Sequence, residues 1–556
     1  MPDYQGRLEL TWTNKHLRLL ANEDGTYEWV SPSDYRVAEV RLLHDITTVG
    51  DVGRVRAADN LLIRGDALNG LTSLARLPEF ANQYLGKVKL VYIDPPFNTQ
   101  QSFLQYDDAL EHSVWLTMLR DRLIQIKVLL APEGSVWVHL DDSEVHRARS
   151  VLDEVFGPGA FVTTVVWQKR TTKENRPAFS SAHDYILVYA PLGGAWRAHR
   201  NKLTRQSGGY SNPDNDPQGP WASIPFTAKG MRKNQMYPVT TPAGVTYTPP
   251  FKNRCWSATQ PEYERLLAED RVYFPDGGRG KPRIKQYEWE DEGVVPDTWW
   301  TAVDCGTNDD EKHHIHELFP SDPEFATPKP ERLLQRIVHV GSNPGDVVLD
   351  CFLGSGTTAA VAHKMGRRWV GIEYEPQTVS TYTLPRLRQV VAGDDAGGIT
   401  DDTGWEGGGG FRVLDVAPSM FEADEGLVFL ADWMTNGVLA EATAAQLGFT
   451  YESDPPFSGR KGRTRLAVID GIANESVIRL VVGALSERER VVICGTGIDT
   501  DARPILRELR PGSTLRKIPA ALLDEYRSAR QLRLAFAEPD DPDRTNGQKS
   551  HVEATV

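Results

Sequence analysis

From about residue 56 to residue 190, short runs of apolar, β-branched and aromatic residues alternate with segments whose apolar positions recur every three or four residues, whereas residues 1–55 mix charge with short apolar runs and carry no motif. NLLIRGDAL reads as a strand ending at Gly65-Asp66, followed by a helix through Leu68, Leu71 and Leu74. VKLVYID reads as a buried strand, and HSVWLTMLRDRLIQIKVLL as a helix with Trp115, Met118, Leu119, Leu123 and Ile126 on its apolar face. GSVWVHLDD returns to a strand, and the alternation continues through EVHRARSVLDEVFG to HDYILVYA. Between about 191 and 320 the rhythm breaks into Pro-, Gly-, Trp- and Asn-rich sequence with short β-like pieces such as GVTYTPPF. It resumes with a helix in PERLLQRIVHVG, a strand in DVVLD, a helix in TTAAVAHKMG and a strand in RRWVGIEYEP. Strand and helix in alternation predict an α/β fold, a mostly parallel sheet with helices on both faces.

This reading divides the chain into an N-terminal extension (1–55), a first half-domain (56–190), an inserted recognition region (191–320) and a second half-domain (321–392). A Gly- and Asp-rich linker (393–410), a small C-terminal α/β domain (411–537, with TRLAVIDG, VIRLVVGAL, RERVVICG and DARPILRELR) and a disordered tail (538–556) follow. A length of 556 residues supports several cores rather than one. The start MPDYQGRLEL has neither the basic end nor the apolar core of a signal peptide, and no apolar run is long enough for a bilayer, so a cytoplasmic location without membrane contact is expected. The four cysteines form no CxxC pair and are read as thiols.

The net charge of −14 conceals a local excess of the opposite sign. From Phe161 to Lys285 there are 19 Lys and Arg against 9 Asp and Glu, interleaved with Trp167, Tyr185, Trp196, Tyr210, Trp221, Tyr237 and Trp256. That balance favours a nucleic-acid partner over a merely solvated face. Within it, Arg279, Lys281, Arg283 and Lys285 are the candidate phosphate contacts. No GxxxxGK[ST] is present, since Gly280-Lys281 is followed by Pro282. His313, His314 and His316 lack partners at metal-ligand spacing; a polar loop and no metal are expected there.

Two strand ends roughly 260 residues apart carry the chemistry: Asp94-Pro95-Pro96-Phe97, and Asp350 through Cys351, Phe352, Leu353, Gly354, Ser355, Gly356 and Thr357. The second presents backbone N–H groups and a helix start to a small charged ligand, and Glu373, 23 residues after Asp350, suits ribose hydroxyls. Alone this also fits G-x-G-x-x-A, so a dinucleotide oxidoreductase stays open. The first separates the readings. The lone pair of a base's exocyclic amine is delocalised into the ring, and two acceptors gripping its hydrogens draw it toward tetrahedral geometry; Asp94 and the Pro95 carbonyl are the candidates. The prolines stiffen the backbone, and Phe97 would stack on a base rotated out of the helix. Asp454-Pro455-Pro456-Phe457 repeats the letters without a buried strand before it and is read as a loop turn.

Residues from about 60 to 392 resemble the β-group DNA amino-methyltransferases, in particular the modification subunits of type III restriction systems. NLLIRGDAL, VYIDPPFNTQQSFLQYDD, FGPGAFV, HDYILVYA, the NPDNDPQGPW stretch, TPKPERLLQRI and DCFLGSGTTAAVA stand in that family's order. The resemblance implies a Rossmann-like sheet of seven strands in permuted motif order, S-adenosylmethionine as cofactor, and transfer of its methyl group to N6 of adenine in double-stranded DNA. It implies base binding by Asp94, Pro95, Pro96 and Phe97; a cofactor turn of Asp350, Phe352, Gly354, Ser355, Gly356 and Thr357; Glu373 on the ribose and Asp66 on the adenine side; and Thr327, Pro328, Lys329 and Pro330 closing over the methionine end. Phe97 departs from the tyrosine of many relatives and keeps the stacking surface. Cytosine-N4 transfer stays open, although its enzymes carry Ser in place of Asp94. RNA as substrate and a DNA-binding specificity subunit without activity are further alternatives, with a second copy of the chain and a separate restriction polypeptide as candidate partners.

Overall fold

The structure, a computed structural model, describes residues 9–21, 27–98, 111–173, 175, 178–204, 209–424 and 427–528. Thr99, the QSFLQYDD segment and the tail from Glu538 lie outside the described residues. The chain separates into two compact units, one made of Met1–Asn201 with Asp297–Val556 and the other of Lys202–Pro296.

In the larger unit ten strands form one sheet: β1 (Leu43–Gly50), β2 (Asn60–Arg64), β3 (Val88–Ile93), β4 (Leu130–Leu140), β5 (Phe161–Gln168), β6 (His183–Tyr189), β7 (Trp299–Trp300), β8 (Val347–Asp350), β9 (Arg368–Glu373) and β10 (Gly410–Val416). Across the sheet they run β7-β5-β6-β4-β3-β8-β9-β2-β10-β1. β6 is antiparallel to β4 and β5, β1 is antiparallel to β10, and every other neighbouring pair is parallel. The central seven, β5 to β2 in that order, are the sheet the resemblance implies; the other three extend it. From β3 the chain moves outward to β4, and from β8 outward the other way to β9. The crevice between β3 and β8 is therefore a topological switch point, where open α/β sheets bind ligands.

The strands read as near-continuous apolar runs because both faces are covered. Leu61, Ile63, Val91 and Ile93 share a core with Leu71 and Leu74 of α1 (Ala67–Arg76), Trp115, Leu119 and Leu123 of α2 (His112–Leu129), and Val151 and Leu152 of α3 (Val145–Phe156). The alternate position Leu90 points away from them. A Cβ on Gly341 would come within 2.8 Å of its Cδ1, so the end of α5 (Glu331–Gly341), which follows α4 (Asn308–Leu318), packs closely there. With α6 (Thr357–Lys364) and α7 (Leu384–Ala392), α5 forms the second helical set.

Three boundaries differ from the sequence reading. Residues 297–320 belong to the larger unit, where β7 pairs with β5 and α4 follows, so the compact insertion is 202–296 rather than 191–320. The expected extension contributes β1. The stretch assigned to the C-terminal domain contributes β10, which lies between β2 and β1. Glycine spacing hid this strand: a Cβ on Gly410 would sit 2.4–2.6 Å from the Asp51 and Val49 backbone, so the entry to β10 must be glycine and reads as linker. Phe411, Val413 and Leu414 are buried, and Arg64 pairs with Asp415. A chain cut after Gly404 is therefore expected to lose about 5 kcal/mol or more, at 1.5–3 kcal/mol per large apolar side chain. Urea unfolding measures it, and an unchanged midpoint would show β10 to be dispensable.

Beyond β10, β11 (Thr450–Asp454), β12 (Phe457–Lys461), β13 (Thr464–Ala473), β14 (Arg490–Ile498) and β15 (Thr514–Lys517) form a five-stranded sheet in that order, with helices Glu475–Gly483 and Ala502–Leu509 packed on it. In the smaller unit Arg283–Tyr287 pairs with both Trp221–Pro225 and Val272–Tyr273. Its core is aromatic, with Trp256 stacked on Phe226 at 5.7 Å.

Candidate functional site

At the end of β3, Asp94 is followed by two prolines that donate no backbone hydrogen bond, and the indole of buried Trp115 donates to the Pro96 carbonyl at 2.6 Å. Asn98, at φ 59°, turns the chain and donates to Glu144 at 2.8 Å; Glu144 also takes His112 at 2.5 Å and Arg147 at 3.2 Å. The segment is thus pinned on both sides. One oxygen of Asp94, Oδ2, accepts from Lys329 Nζ at 2.5 Å. The other, Oδ1, is buried and accepts no hydrogen bond among the described residues. Lys329 Nζ also lies 5.0 Å from the Phe97 ring centre.

Phe97 stacks on buried His139, with ring centres 5.8 Å apart and planes at 30°. His139 is fixed by the Tyr92 hydroxyl at 2.8 Å on Nδ1 and by Asp184 at 3.3 Å on Nε2, and Asp184 accepts from Lys169 at 2.7 Å. Burial alone would raise the Asp184 pKa, but the bond to His139 and the charges of His139, Lys169 and Lys329 hold it below the usual carboxylate value.

The end of β8 builds the other half. Asp350 accepts from the Phe352 N–H at 2.9 Å and the Thr358 hydroxyl at 2.6 Å, bridging the loop to α6. Gly354 and Gly356 have φ of 53° and 87°, where a side chain is strained, and Gly356 precedes the first turn of α6. Glu373 accepts from the Gly354 N–H at 2.7 Å and the Glu375 N–H at 3.0 Å. Burial, reinforced by Asp94 and Glu373, pushes the Asp350 pKa up to about 7 against the bonds from Thr358 and Phe352; burial also raises that of Glu373. A carboxylate so desolvated favours a cationic ligand.

These halves face one cavity of about 600 Å³. All four residues expected to bind the base line it, as do the residues expected to bind the cofactor, with the exceptions of Gly356 and Pro330. Gly356 serves the turn, where a Cβ would meet Thr383 at 3.3 Å, and Pro330 is the buried residue before α5. Asp66 lines the wall but already caps α1 through Leu68 and Asn69 N–H and pairs with Arg122 at 2.7 Å. Lys169, Asp184, Asp141, Arg122 and Asn308 also line the cavity and were missed by the sequence reading. Asp141, Lys169 and Asp184 were signalled only by placement at or just beyond a strand end, whereas Arg122 within α2 and Asn308 at the start of α4 carried no such signal. The expected N-terminal extension contributes Leu19, Tyr27 and Arg36 to the wall.

The family described as DNA methylase matches residues 88–383, just over half of the chain. The chain belongs to that DNA methylase family. It is 32% identical over 333 residues to the type III restriction-modification enzyme StyLTI Mod subunit of Salmonella typhimurium strain LT2, covering 54% of this chain and 49% of that protein. It is 27% identical to the probable type III enzyme HindVI Mod subunit of Haemophilus influenzae, covering 65% and 54%. To the type II methyltransferase M.EcaI of Enterobacter cloacae it is 28% identical, covering 52% and 62%. The chain thus spans about half the length of the first two relatives.

The second Asp-Pro-Pro-Phe is the tight connection between β11 and β12. Asp454 lies on an exposed strand with its side chain 69% exposed, paired with Arg465. The histidine triplet is helical, not a loop, because Thr307 and Asp310 form a reciprocal cap that starts α4. Burial would lower the His314 pKa, but Asp395 at 2.8 Å and Glu311 raise it to about 9, fixing a charged side chain in a buried cluster with Arg386, Glu331 and Lys364.

The smaller unit corrects one site residue. Lys285 is 2% exposed and its ammonium is held by Asp214 at 2.8 Å, Asp216 at 2.7 Å and Asp270 at 3.1 Å, so it cannot serve as a phosphate contact. Strand alternation turns it inward. Arg283 is half-buried and spends its guanidinium on Ser223 at 2.6 and 2.7 Å. Arg279 and Lys281 are exposed, Lys281 resting 3.8 Å from the Phe251 ring centre. Trp221, Trp256, Trp167 and Trp196 are all core residues, not free stacking platforms. All four cysteines are unpaired and buried. No helix among the described residues is long and apolar enough to cross a membrane.

Proposed function

We propose that this chain transfers a methyl group from S-adenosylmethionine to N6 of an adenine rotated out of double-stranded DNA, as the modification component of a type III restriction-modification system. The observation that carries the reading is the bare Asp94 Oδ1, a buried acceptor in the wall of a cavity that also contains the Gly354 turn. A buried acceptor left without a donor is costly, and an amine hydrogen from the base removes that cost. The cradle suits the cofactor: a glycine turn before α6, the carboxylate of Glu373 for hydroxyls, and Asp350 for positive charge. When bound, S-adenosylmethionine supplies an electrophilic methyl group on a sulfonium.

The chain's own residues supply orientation. Lys329 and Trp115 lock Asp94 and the Pro96 carbonyl, so the acceptor is preset rather than gathered at the moment of reaction. Asp94 Oδ1 takes one hydrogen of the amine and directs the nitrogen lone pair to the methyl carbon. With the cofactor bound, the nitrogen would take the methyl group as the carbon–sulfur bond broke, and Asp94 Oδ1 would receive the extra proton along the same contact. Phe97, braced by His139, limits tilt of the base. Relatives named as Mod subunits of type III restriction-modification enzymes support DNA as substrate and a separate restriction polypeptide as partner, and Asp94 favours adenine. Labelled S-adenosylmethionine with the isolated chain and duplex DNA, followed by mass spectrometry of the product, tests the reading. N6-methyladenine is expected; N4-methylcytosine or no transfer overturns it.

Cofactor affinity should fall as pH drops below about 7. The folded protein holds a proton on Asp350 up to about pH 7, whereas the unfolded carboxyl loses it near 3.8, so its ionisation costs stability above 7 and that cost vanishes as pH falls toward 3.8. A cationic ligand favours the carboxylate and must displace this proton at low pH. Calorimetric titration at pH 6 and 8 should show weaker binding at pH 6 and proton release; equal affinities would contradict the assignment.

A further inference from the structure

Residues 1–55 carry no motif, yet part of this segment walls the cavity. The strands Arg18–Ala21 and Tyr27–Val30 pair antiparallel, and the short helix Tyr35–Ala38 follows them. Leu19, Tyr35 and Ala38 pack on the core of the larger unit, whereas Leu20 and Val37, half-buried, line the cavity. The hairpin is fastened along α2: the Trp12 indole donates to the Thr117 hydroxyl at 2.8 Å, the Arg120 guanidinium donates to the Leu17 carbonyl at 2.7 Å, and Arg18 pairs with Asp121. Arg36 holds the short helix to the second strand through Glu28 at 2.7 Å. The same α2 locates the hairpin along the cavity. Arg122, next to Asp121, pairs with Asp66 at 2.7 Å and lies 5.7 Å from the Phe352 ring centre. The Gly65 N–H donates to the Glu373 carbonyl at 2.9 Å, and β3, β8, β9 and β2 are neighbours in that order, so Asp94, Asp350, Glu373 and Asp66 follow one another along the strand ends. Three strand spacings, roughly 14 Å, separate Asp66 from Asp94. The hairpin therefore stands beyond the ribose acid, at the end of the cavity away from the reacting groups.

Resting on the proposed function, we infer that the N-terminal hairpin is part of the cofactor site: Leu20 and Val37 pack on a face of the adenine ring of S-adenosylmethionine and hold its adenosine end. Adenine has polar edges and two apolar faces, so a ring whose edge meets a carboxylate such as Asp66 still gains by burying a face against aliphatic side chains. The methyl group is transferred at the Asp94 end, so contacts at the adenine end are the same before and during the reaction. They set the affinity for the cofactor and leave the rate of the chemical step alone.

The test is calorimetric titration of the full chain with S-adenosylmethionine, S-adenosylhomocysteine and methylthioadenosine, the last of which lacks the amino-acid part. Leu20→Ala combined with Val37→Ala is expected to weaken all three by a similar factor, roughly 10- to 50-fold, since all three share the adenine. The KM for S-adenosylmethionine should rise likewise, with kcat at saturating cofactor within about twofold of wild type. Val37→Ala alone, the milder change, should weaken all three by roughly 3- to 10-fold. Leu20→Met, which conserves volume, should bind them within about threefold of wild type. Unchanged affinities, a loss that spares methylthioadenosine, or a fall in kcat as large as the loss of affinity overturns the inference and leaves the reaction standing. No binding of S-adenosylmethionine by the wild type overturns the cofactor reading, and the inference with it.

Discussion

Asp94→Ala is expected to lower methyl-transfer turnover by about a thousandfold or more while leaving S-adenosylmethionine affinity within a few-fold of wild type. A contact that orients and deprotonates the nucleophile acts on the transition state, and such contacts are worth roughly 10²- to 10⁴-fold. Cofactor affinity should persist because Gly354, Asp350 and Glu373 are held by bonds to each other and to α6, none of which includes Asp94. Removing the carboxylate strips buried Lys329 of its partner, so Asp94→Asn, which preserves the volume, accompanies it as a control for folding. Asp454→Ala should change turnover by less than about twofold, since that carboxylate is exposed and paired with Arg465. Single-turnover rates and cofactor titration on the three variants decide the matter. A folded Asp94→Ala chain working at near wild-type rate, or an equal loss in Asp454→Ala, would remove the first motif from the reaction.

The difference between those two identical tetrapeptides was legible because burial of a strand is written in its letters. Val88–Ile93 is apolar but for Lys89 and leads to a sheet edge, whereas Thr450–Asp454 is mostly polar and exposed along its length. The glycine turn and the acid that ends β9 were legible for the same reason, each being fixed by a local rule about where a chain turns after a buried strand. What the sequence did not disclose depends on partners distant along the chain. Lys329 meets Asp94 across 235 positions, and β10 enters the sheet beside a strand 350 positions earlier. Charge counting failed at Lys285 because composition records the sign of a side chain and not its direction. The neighbours Arg279 and Lys281 have the same sign and are exposed. The aromatic interleaving misled in the same way, since Trp221 and Trp256 of the smaller unit are buried.

Lys285→Met should destabilise the smaller unit by about 3–5 kcal/mol, the cost of breaking a buried ion pair from one side. Asp214 and Asp270 can turn to water, with side chains 41% and 87% exposed, but Asp216 is 3% exposed and would be left with the Tyr287 hydroxyl at 2.8 Å and the Gln218 N–H at 2.9 Å. Asp216 owes its pKa of about 2 first to the Lys285 bond. Its contribution to stability is complete above the ordinary carboxyl value and is lost as pH falls through about 2. In the methionine variant that loss should begin at a higher pH. Arg279→Ala with Lys281→Ala should behave oppositely, leaving the unfolding midpoint nearly unchanged, since the contact of Lys281 with Phe251 is worth about 1 kcal/mol or less. If both side chains meet phosphates, the dependence of DNA affinity on log salt should become shallower by roughly 0.9 for each phosphate no longer neutralised. Denaturant unfolding and salt titration of DNA affinity, run on both variants, separate the roles. A Lys285→Met protein as stable as wild type but with a slope shallower by about 0.9 would return Lys285 to the DNA and refute its place in the core.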